Sequence, residues 1–492
     1  MKLFFLILSV LVLISSTGGQ ISSPSLSRKS VELQPCEVQG ASPETKEKVL
    51  CGTYEVFEDR ARRSGRKFPI KIVVFPATGQ NKASDPLFYI PGGPGSSATE
   101  DAPYVAGDFA KIRERRDLVF VDQRGTGGSN PLECTFFDPA EPQSYLGYWN
   151  PLEAVRKCRS QLEKKADLRL YTTSIAMDDL EDVRSALGYG LINMIGVSYG
   201  TRATQEFLKR HGEHVRTAIL HGVSLTSQLM PRDFPQDTER ALKGVIGECL
   251  ADEACRMAFP DLRAEVASVR EKLLRGPIET EVKYPPDGQG TRRVKLSRDL
   301  AAEAVRYMLY QPSSANRLPL YLHLASQGNF TPLAEAAIFF RQNIVASGGN
   351  GLYLSITCAE DLPWIKAGEG QADNTFLGDY RLQQQREACS LWPRSEIPKD
   401  YSAPTRSNVP TLILTGEWDP VTPPVYGETA ARYLPNSLHI VVPSGGHGFA
   451  GLNGIGCLDG LLAEFIDRDS TRGLDTSCVK SIRRSGFALK LQ

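Results

Sequence analysis

The stretch Leu191–Arg202 reads L-I-N-M-I-G-V-S-Y-G-T-R, and it constrains the fold more than any other part of the chain. Its apolar run, Ile192 to Ile195, fits one buried strand, and Thr201–Arg210 beyond it reads as a helix. Between them, Gly196-Val197-Ser198-Tyr199-Gly200 must turn the chain sharply. A serine on so tight a turn sits in strained φ/ψ, so the residues around it need almost no side chain, and two glycines meet that need. The pentapeptide also arises by chance in a chain with 43 glycines. Its meaning therefore depends on what the rest of the sequence provides.

The rest provides a series of strands ending in glycine-rich turns. Gly52–Phe57, Ile70–Phe75, Pro86–Ile90 and Leu118–Val121 are strand-like runs before the serine, and Thr217–His221 follows it. Continuous apolar runs of this kind suit a sheet covered on both faces. Pro91-Gly92-Gly93-Pro94-Gly95-Ser96-Ser97 follows the third run, and Asp122-Gln123-Arg124-Gly125-Thr126-Gly127-Gly128-Ser129 the fourth. Neither loop has the G-K-[ST] ending of a phosphate-binding loop or the G-x-G-x-x-G spacing of a dinucleotide site. The first suits an oxyanion hole, in which the N–H groups of Gly93 and Tyr199 point at the carbonyl oxygen under attack. The second reads as support beneath the site.

The strand pattern resumes at Pro410–Thr415 and ends in Gly416-Glu417-Trp418-Asp419-Pro420-Val421-Thr422-Pro423. The last strand, Leu438–Val442, leads to Ser444-Gly445-Gly446-His447-Gly448. The order nucleophile, acid, base is then Ser198, Asp419, His447, which is the order of α/β-hydrolases. Glu417 is the alternative acid. His214, His221 and His439 lie away from the base position and read as structural.

I-P-G-G-P-G-S-S, D-Q-R-G-T-G-G-S and G-V-S-Y-G-T-R together resemble the prolyl aminopeptidase family of α/β-hydrolases, and most closely its exported tripeptidyl aminopeptidase branch. Pro91 stands where the prolyl enzymes have histidine, as it does in the tripeptidyl branch. The resemblance runs from about residue 52 to 223 and again from about 409 to the C-terminus. It implies an α/β-hydrolase fold: a mostly parallel eight-stranded sheet with helices on both faces and a large helical cap inserted after the sixth strand. The expected division is a signal peptide over 1–19, a first core part over 20–223, a mainly helical cap over 224–408 and a C-terminal core part over 409–492. Helical periodicity in the cap falls at Asp233–Leu250, Asp261–Leu274, Arg298–Leu309 and Pro332–Gln342.

Composition and targeting signals narrow the setting. Lysine plus arginine equals aspartate plus glutamate at 57 each, with no basic stripe, which argues against nucleic acid or an anionic membrane as partner. Lys2, the apolar run Leu3–Ile14 and the small residues Ser15 to Gly19 form the layout of a secretory signal peptide, too short for a bilayer span. Ten cysteines in an exported chain read as disulfides. Sequence leaves their connectivity open. The first expectation is local pairing: Cys36–Cys51, Cys134–Cys158, Cys249–Cys255, Cys358–Cys389 and Cys457–Cys478.

The expected function is an exported serine aminopeptidase that releases tripeptides or single residues from free N-termini through an acyl-enzyme, with no metal or organic cofactor. The alternatives are an exported carboxylesterase with the same three residues and a catalytically idle binding protein on this scaffold. An aminopeptidase must pair a substrate ammonium with a carboxylate. Glu360 or Asp361, in Ile356-Thr357-Cys358-Ala359-Glu360-Asp361, is the expected anchor.

Overall fold

The computed structural model describes residues 30–491 apart from 41, 43, 286–287, 289, 346–348, 371 and 373. The expected signal peptide lies outside the described residues.

Eleven strands make up the large sheet and one hairpin of the insertion. They are β1 (Gln34–Gln39), β2 (Lys46–Phe57), β3 (Lys67–Phe75), β4 (Leu87–Ile90), β5 (Leu118–Val121), β6 (Ile192–Val197), β7 (Val215–His221), β8 (Ile278–Lys283), β9 (Thr291–Leu296), β10 (Thr411–Gly416) and β11 (Ser437–Val442). Nine of them form one sheet in the order β1-β2-β3-β5-β4-β6-β7-β10-β11. The pairings from β5 through β11 are parallel. The pairings β1·β2, β2·β3 and β3·β5 are antiparallel.

The sheet has nine strands rather than the expected eight. The extra one is β1, from a segment whose serine-rich approach reads as a loop. It pairs with β2 over its whole length, and the Cys36–Cys51 disulfide ties the two strands together.

Strand residues alternate strictly between two cores, which explains the continuous apolar runs. Ile72, Val74, Phe88, Ile90, Val119, Val121 and Met194 face one core, with Met177, Leu180, Ala203 and Phe207 from the helices Thr173–Ala186 and Tyr199–His211. Val73, Phe75, Leu87, Tyr89, Leu118, Phe120 and Ile195 face the other, with Ala98 and Ala102 from Ala98–Asp108 and Leu461 and Phe465 from Cys457–Arg468. A sheet buried on both faces has no solvated side to mark with polar residues.

The insertion between β7 and β10 does not pack as one unit. The helices Phe234–Ala251, Leu262–Leu274, Arg298–Met308 and Thr331–Phe340 share a third core with Val282 and Val294 of an antiparallel hairpin, β8–β9. That hairpin is the strand component of an otherwise mainly helical insertion. Beyond it, Asn350–Glu360 turns back onto the sheet, and its Leu352, Leu354 and Ile356 join the first core. Cys358–Cys389 staples this helix to Tyr380–Ser390.

All ten cysteines are paired, and every pair is the local one. No helix among the described residues is long and apolar enough to cross a membrane.

Candidate active site

β6 delivers Ser198 to the carboxyl edge of the sheet, and the helix Tyr199–His211 starts at once. Ser198 has φ 56° and ψ −123°, a backbone conformation that a side-chain-bearing residue adopts only under constraint. The flanking glycines answer to space. A Cβ on Gly196 would lie 2.3 Å from the Gly200 carbonyl oxygen, and one on Gly200 would lie 2.1 Å from the Ile90 carbonyl oxygen. The elbow is thus pressed against the end of β4. A Cβ on Gly92 would come 3.2 Å from Ser198 Cβ, so the first glycine loop passes directly over the serine.

Asp419 lies after β10 and is fully buried. Its Oδ1 accepts from the backbone N–H groups of Val421 and Thr422, both at 2.8 Å. Its Oδ2 accepts from the Thr422 hydroxyl at 2.7 Å and lies 2.8 Å from His447 Nδ1. The spacing Asp-x-x-Thr is what folds this turn back on its own carboxylate. Burial raises the Asp419 pKa, but the His447 charge and the hydrogen bonds from His447 and Thr422 outweigh it and hold the group down to about 2. Glu417 is engaged elsewhere: its Oε2 accepts from Ser444 N at 2.9 Å, which pins the loop before His447. Arg240 of the cap donates to the carbonyls of Glu417 and Asp419, so the cap also braces the acid loop.

Ser198, His447, Gly93, Val421 and Thr422 all line one cavity of about 340 Å³. Trp149, Phe234, Tyr307, Tyr310 and Tyr353 give it an aromatic wall. Tyr310 meets His447 edge-on, with ring centroids 4.9 Å apart. Tyr199 is the first residue of its helix, so its N–H has no intrahelical acceptor. Gly93, at φ 113°, holds a conformation suited to glycine.

The second glycine loop is support, as its sequence implies. Asp122 is fully buried and accepts from Ser97 Oγ, Thr99 N, Thr99 Oγ1 and Gly128 N at 2.8 to 2.9 Å. It therefore laces the first glycine loop to the second. Arg124 donates to Asp179 Oδ2 at 2.6 Å and to the Glu58 carbonyl at 2.9 Å, which fixes the loop to the helix Thr173–Ala186. His221 stacks on Phe449 at 4.5 Å, and burial followed by the His447 charge pushes its pKa down to about 4.

The expected ammonium anchors need correction. Neither Glu360 nor Asp361 lines the cavity. Glu360 is buried and accepts from Thr173 N at 2.7 Å, from Thr173 Oγ1 at 2.8 Å and from the Tyr401 hydroxyl. Thr173 Oγ1 in turn meets the Tyr199 hydroxyl at 2.7 Å. Asp361 is fully buried and accepts from Arg202 Nη1 at 2.9 Å, while Arg202 Nη2 donates to the Gln228 carbonyl. The acidic pair therefore clamps the elbow helix. Acids beside a cysteine carry no sequence signal that distinguishes a clamp from a ligand. The Arg202 of G-T-R, lying deep in the elbow helix, is the residue that could have indicated the partner.

The family model described as alpha/beta hydrolase fold matches residues 85–256, and the one described as TAP-like protein matches 374–478. The chain is an α/β-hydrolase with a TAP-like C-terminal part. This hydrolase is 26% identical over 460 residues to the serine protease Hip1 of Mycobacterium tuberculosis, covering 86% of each chain. It is 24% identical over 494 residues to the tripeptidyl aminopeptidase of Streptomyces lividans, covering 94% of this chain and 89% of that one. It is 28% identical to the proline iminopeptidase of Neisseria gonorrhoeae over 140 residues, 28% of this chain and 33% of the other. The hydrolase is accordingly a serine hydrolase with serine peptidases as its relatives.

Proposed function

We propose that this serine hydrolase is an exported aminopeptidase that releases short peptides or single residues from free N-termini. Ser198 is the nucleophile, His447 the base and Asp419 the acid that orients it. The Gly93 and Tyr199 N–H groups stabilise the tetrahedral oxyanion. His447 removes the Ser198 proton as Oγ attacks the carbonyl, then protonates the leaving amine. Water releases the acyl-enzyme with His447 again as base.

The observation that carries the reading is the strained Ser198 in the same cavity as a His447–Asp419 pair at 2.8 Å. A capped cavity of about 340 Å³ suits a chain end better than the middle of a folded protein. The names of the relatives support peptide substrates. Five disulfides support an extracytoplasmic site of action.

One observation favours a second reading, a carboxylesterase. The cavity lining contains Arg306 and Arg381 and no aspartate or glutamate among the described residues, so it offers no carboxylate to an ammonium. Three substrates separate the readings: a chromogenic tripeptide amide with a free amine, its N-acetylated twin, and p-nitrophenyl acetate. The aminopeptidase cleaves the first much faster than the second. Equal rates on the first two would sink the aminopeptidase assignment, and cleavage of the ester alone would establish the esterase.

A further inference from the structure

Part of the cavity wall is built from buried guanidinium groups. Arg306 and Arg381 both line it, at 1% and 4% exposure. Arg306 is fully committed: Nε and Nη2 each lie 2.8 Å from Glu303 Oε2, and Nη1 donates to the Tyr310 hydroxyl at 2.7 Å. Tyr310 is the ring that meets His447, so this cationic group stands one aromatic ring from the candidate base.

Arg381 is different. Its Nε lies 3.3 Å from Glu303 Oε1 without hydrogen-bond geometry, its Nη2 reaches the Tyr353 hydroxyl at 3.3 Å, and its Nη1 has no hydrogen-bond partner. The guanidinium lies 3.7 Å from the centre of the Trp149 ring, whose other contacts include Arg341 at 4.5 Å. Glu303 is the carboxylate common to Arg306 and Arg381, so two buried cations share one anion. A buried charge needs a hydrogen-bonded counter-charge. A guanidinium held over an aromatic ring, with donors left over, is suited to receive a carboxylate.

We propose that the cavity selects substrates bearing a carboxylate, which Arg381 binds. This rests on the reading of the cavity as the substrate site of a serine peptidase, and it holds whichever end of the substrate enters. The carboxylate has two sources. It is the side chain of an acidic residue on the acyl side, or the free C-terminus of a short peptide on the leaving side.

The test uses the full-length mature enzyme. Tripeptidyl p-nitroanilides carrying Glu or Gln at each position in turn report on the acyl side. Hexa-alanine with a free or an amidated C-terminus reports on the leaving side. The expected result is a preference of about tenfold or more in kcat/KM for the carboxylate in one of the two sets. It falls to about one in Arg381→Met, which leaves Glu303 paired with Arg306, and is partly retained in Arg381→Lys. A second measurement needs no turnover: calorimetry of glutarate against glutaramide on Ser198→Ala. Glutarate alone binds, and R381M on that background abolishes it. The proposal is overturned by no acid preference in either substrate set together with no glutarate binding, or by a preference that R381M leaves unchanged. Fluorophosphonate labelling of Ser198 is scored separately. Its absence would remove the serine peptidase reading, while glutarate binding still decides this one.

Discussion

At the level of single residues, the site depends on two kinds of constraint. Ser198 holds an unfavourable backbone conformation, and Asp419 holds a charge in a fully buried place. Both are sustained by neighbours close in sequence: Gly196 and Gly200 for the serine, Val421 and Thr422 for the acid. Ser198→Ala should lower kcat by at least about 10⁴-fold with the fold intact, measured by turnover alongside circular dichroism. Retained turnover would remove Ser198 from the mechanism. Gly200→Ala forces a methyl to within 2.1 Å of the Ile90 carbonyl oxygen. Relief requires β4 and the elbow helix to separate, at about 1–3 kcal/mol, so thermal denaturation should show a lower midpoint together with reduced activity.

At the level of elements, the helix Tyr199–His211 is gripped from the far side by the end of Asn350–Glu360. The Arg202–Asp361 pair is fully buried on both sides, at 2.9 Å. Breaking it from one side strands a charge, so Asp361→Asn should cost about 3–5 kcal/mol in a denaturant titration. Arg202→Met combined with Asp361→Leu should recover most of that loss, because no unpaired charge remains. If the double variant is as unstable as the single one, the pair is more than a clamp. The same geometry explains why the acids looked like ligands: two carboxylates next to a structural disulfide are consistent with either role until the Arg202 partner is located.

At the scale of the molecule, the cap core and the hydrolase core meet at a part-buried polar contact that responds to pH. Asp237 of the helix Phe234–Ala251 accepts from the Tyr426 hydroxyl of Pro424–Ala431 at 2.9 Å. Burial, resisted by that hydrogen bond and reinforced by the Asp233 charge, pushes its pKa up to about 8. The folded state therefore holds this proton more tightly than the unfolded chain. The stability it contributes is present below about pH 4 and is lost as the pH rises through about 8. Asp237→Asn should flatten that part of the profile, seen as a stability difference from the parent that grows in favour of the variant between pH 5 and pH 8. An unchanged profile would place the Asp237 proton elsewhere. The five local disulfides add a further restraint. Each closes a loop of 6 to 31 residues, and by loop-closure entropy a loop of about 15 contributes about 3 kcal/mol. Reduction under native conditions should therefore lower the thermal midpoint, and an unmoved midpoint would mean these loops are already restrained by packing.

The sequence by itself determined the local features. Apolar runs located the strands because burial on both faces leaves a strand no polar alternation. Glycine positions located the elbow and the loop over it because close backbone approach excludes a Cβ. The places of Asp419 and His447 just after the last two strand-like runs located the candidate acid and base, because this fold presents such groups on loops at strand ends. Near-neighbour cysteines anticipated the disulfides because short loops close at least cost. What lay beyond the sequence was decided by contacts between distant segments. β1 is a strand only because β2 offers it an edge and Cys51 a tether. Glu360 and Asp361 are a clamp because Thr173 and Arg202 happen to stand opposite them. Arg306, Arg381 and Trp149 shape the cavity although they come from three separate segments with no motif. Local torsion and spacing are written in neighbouring residues, whereas which charges face each other in a buried place depends on how the whole chain closes.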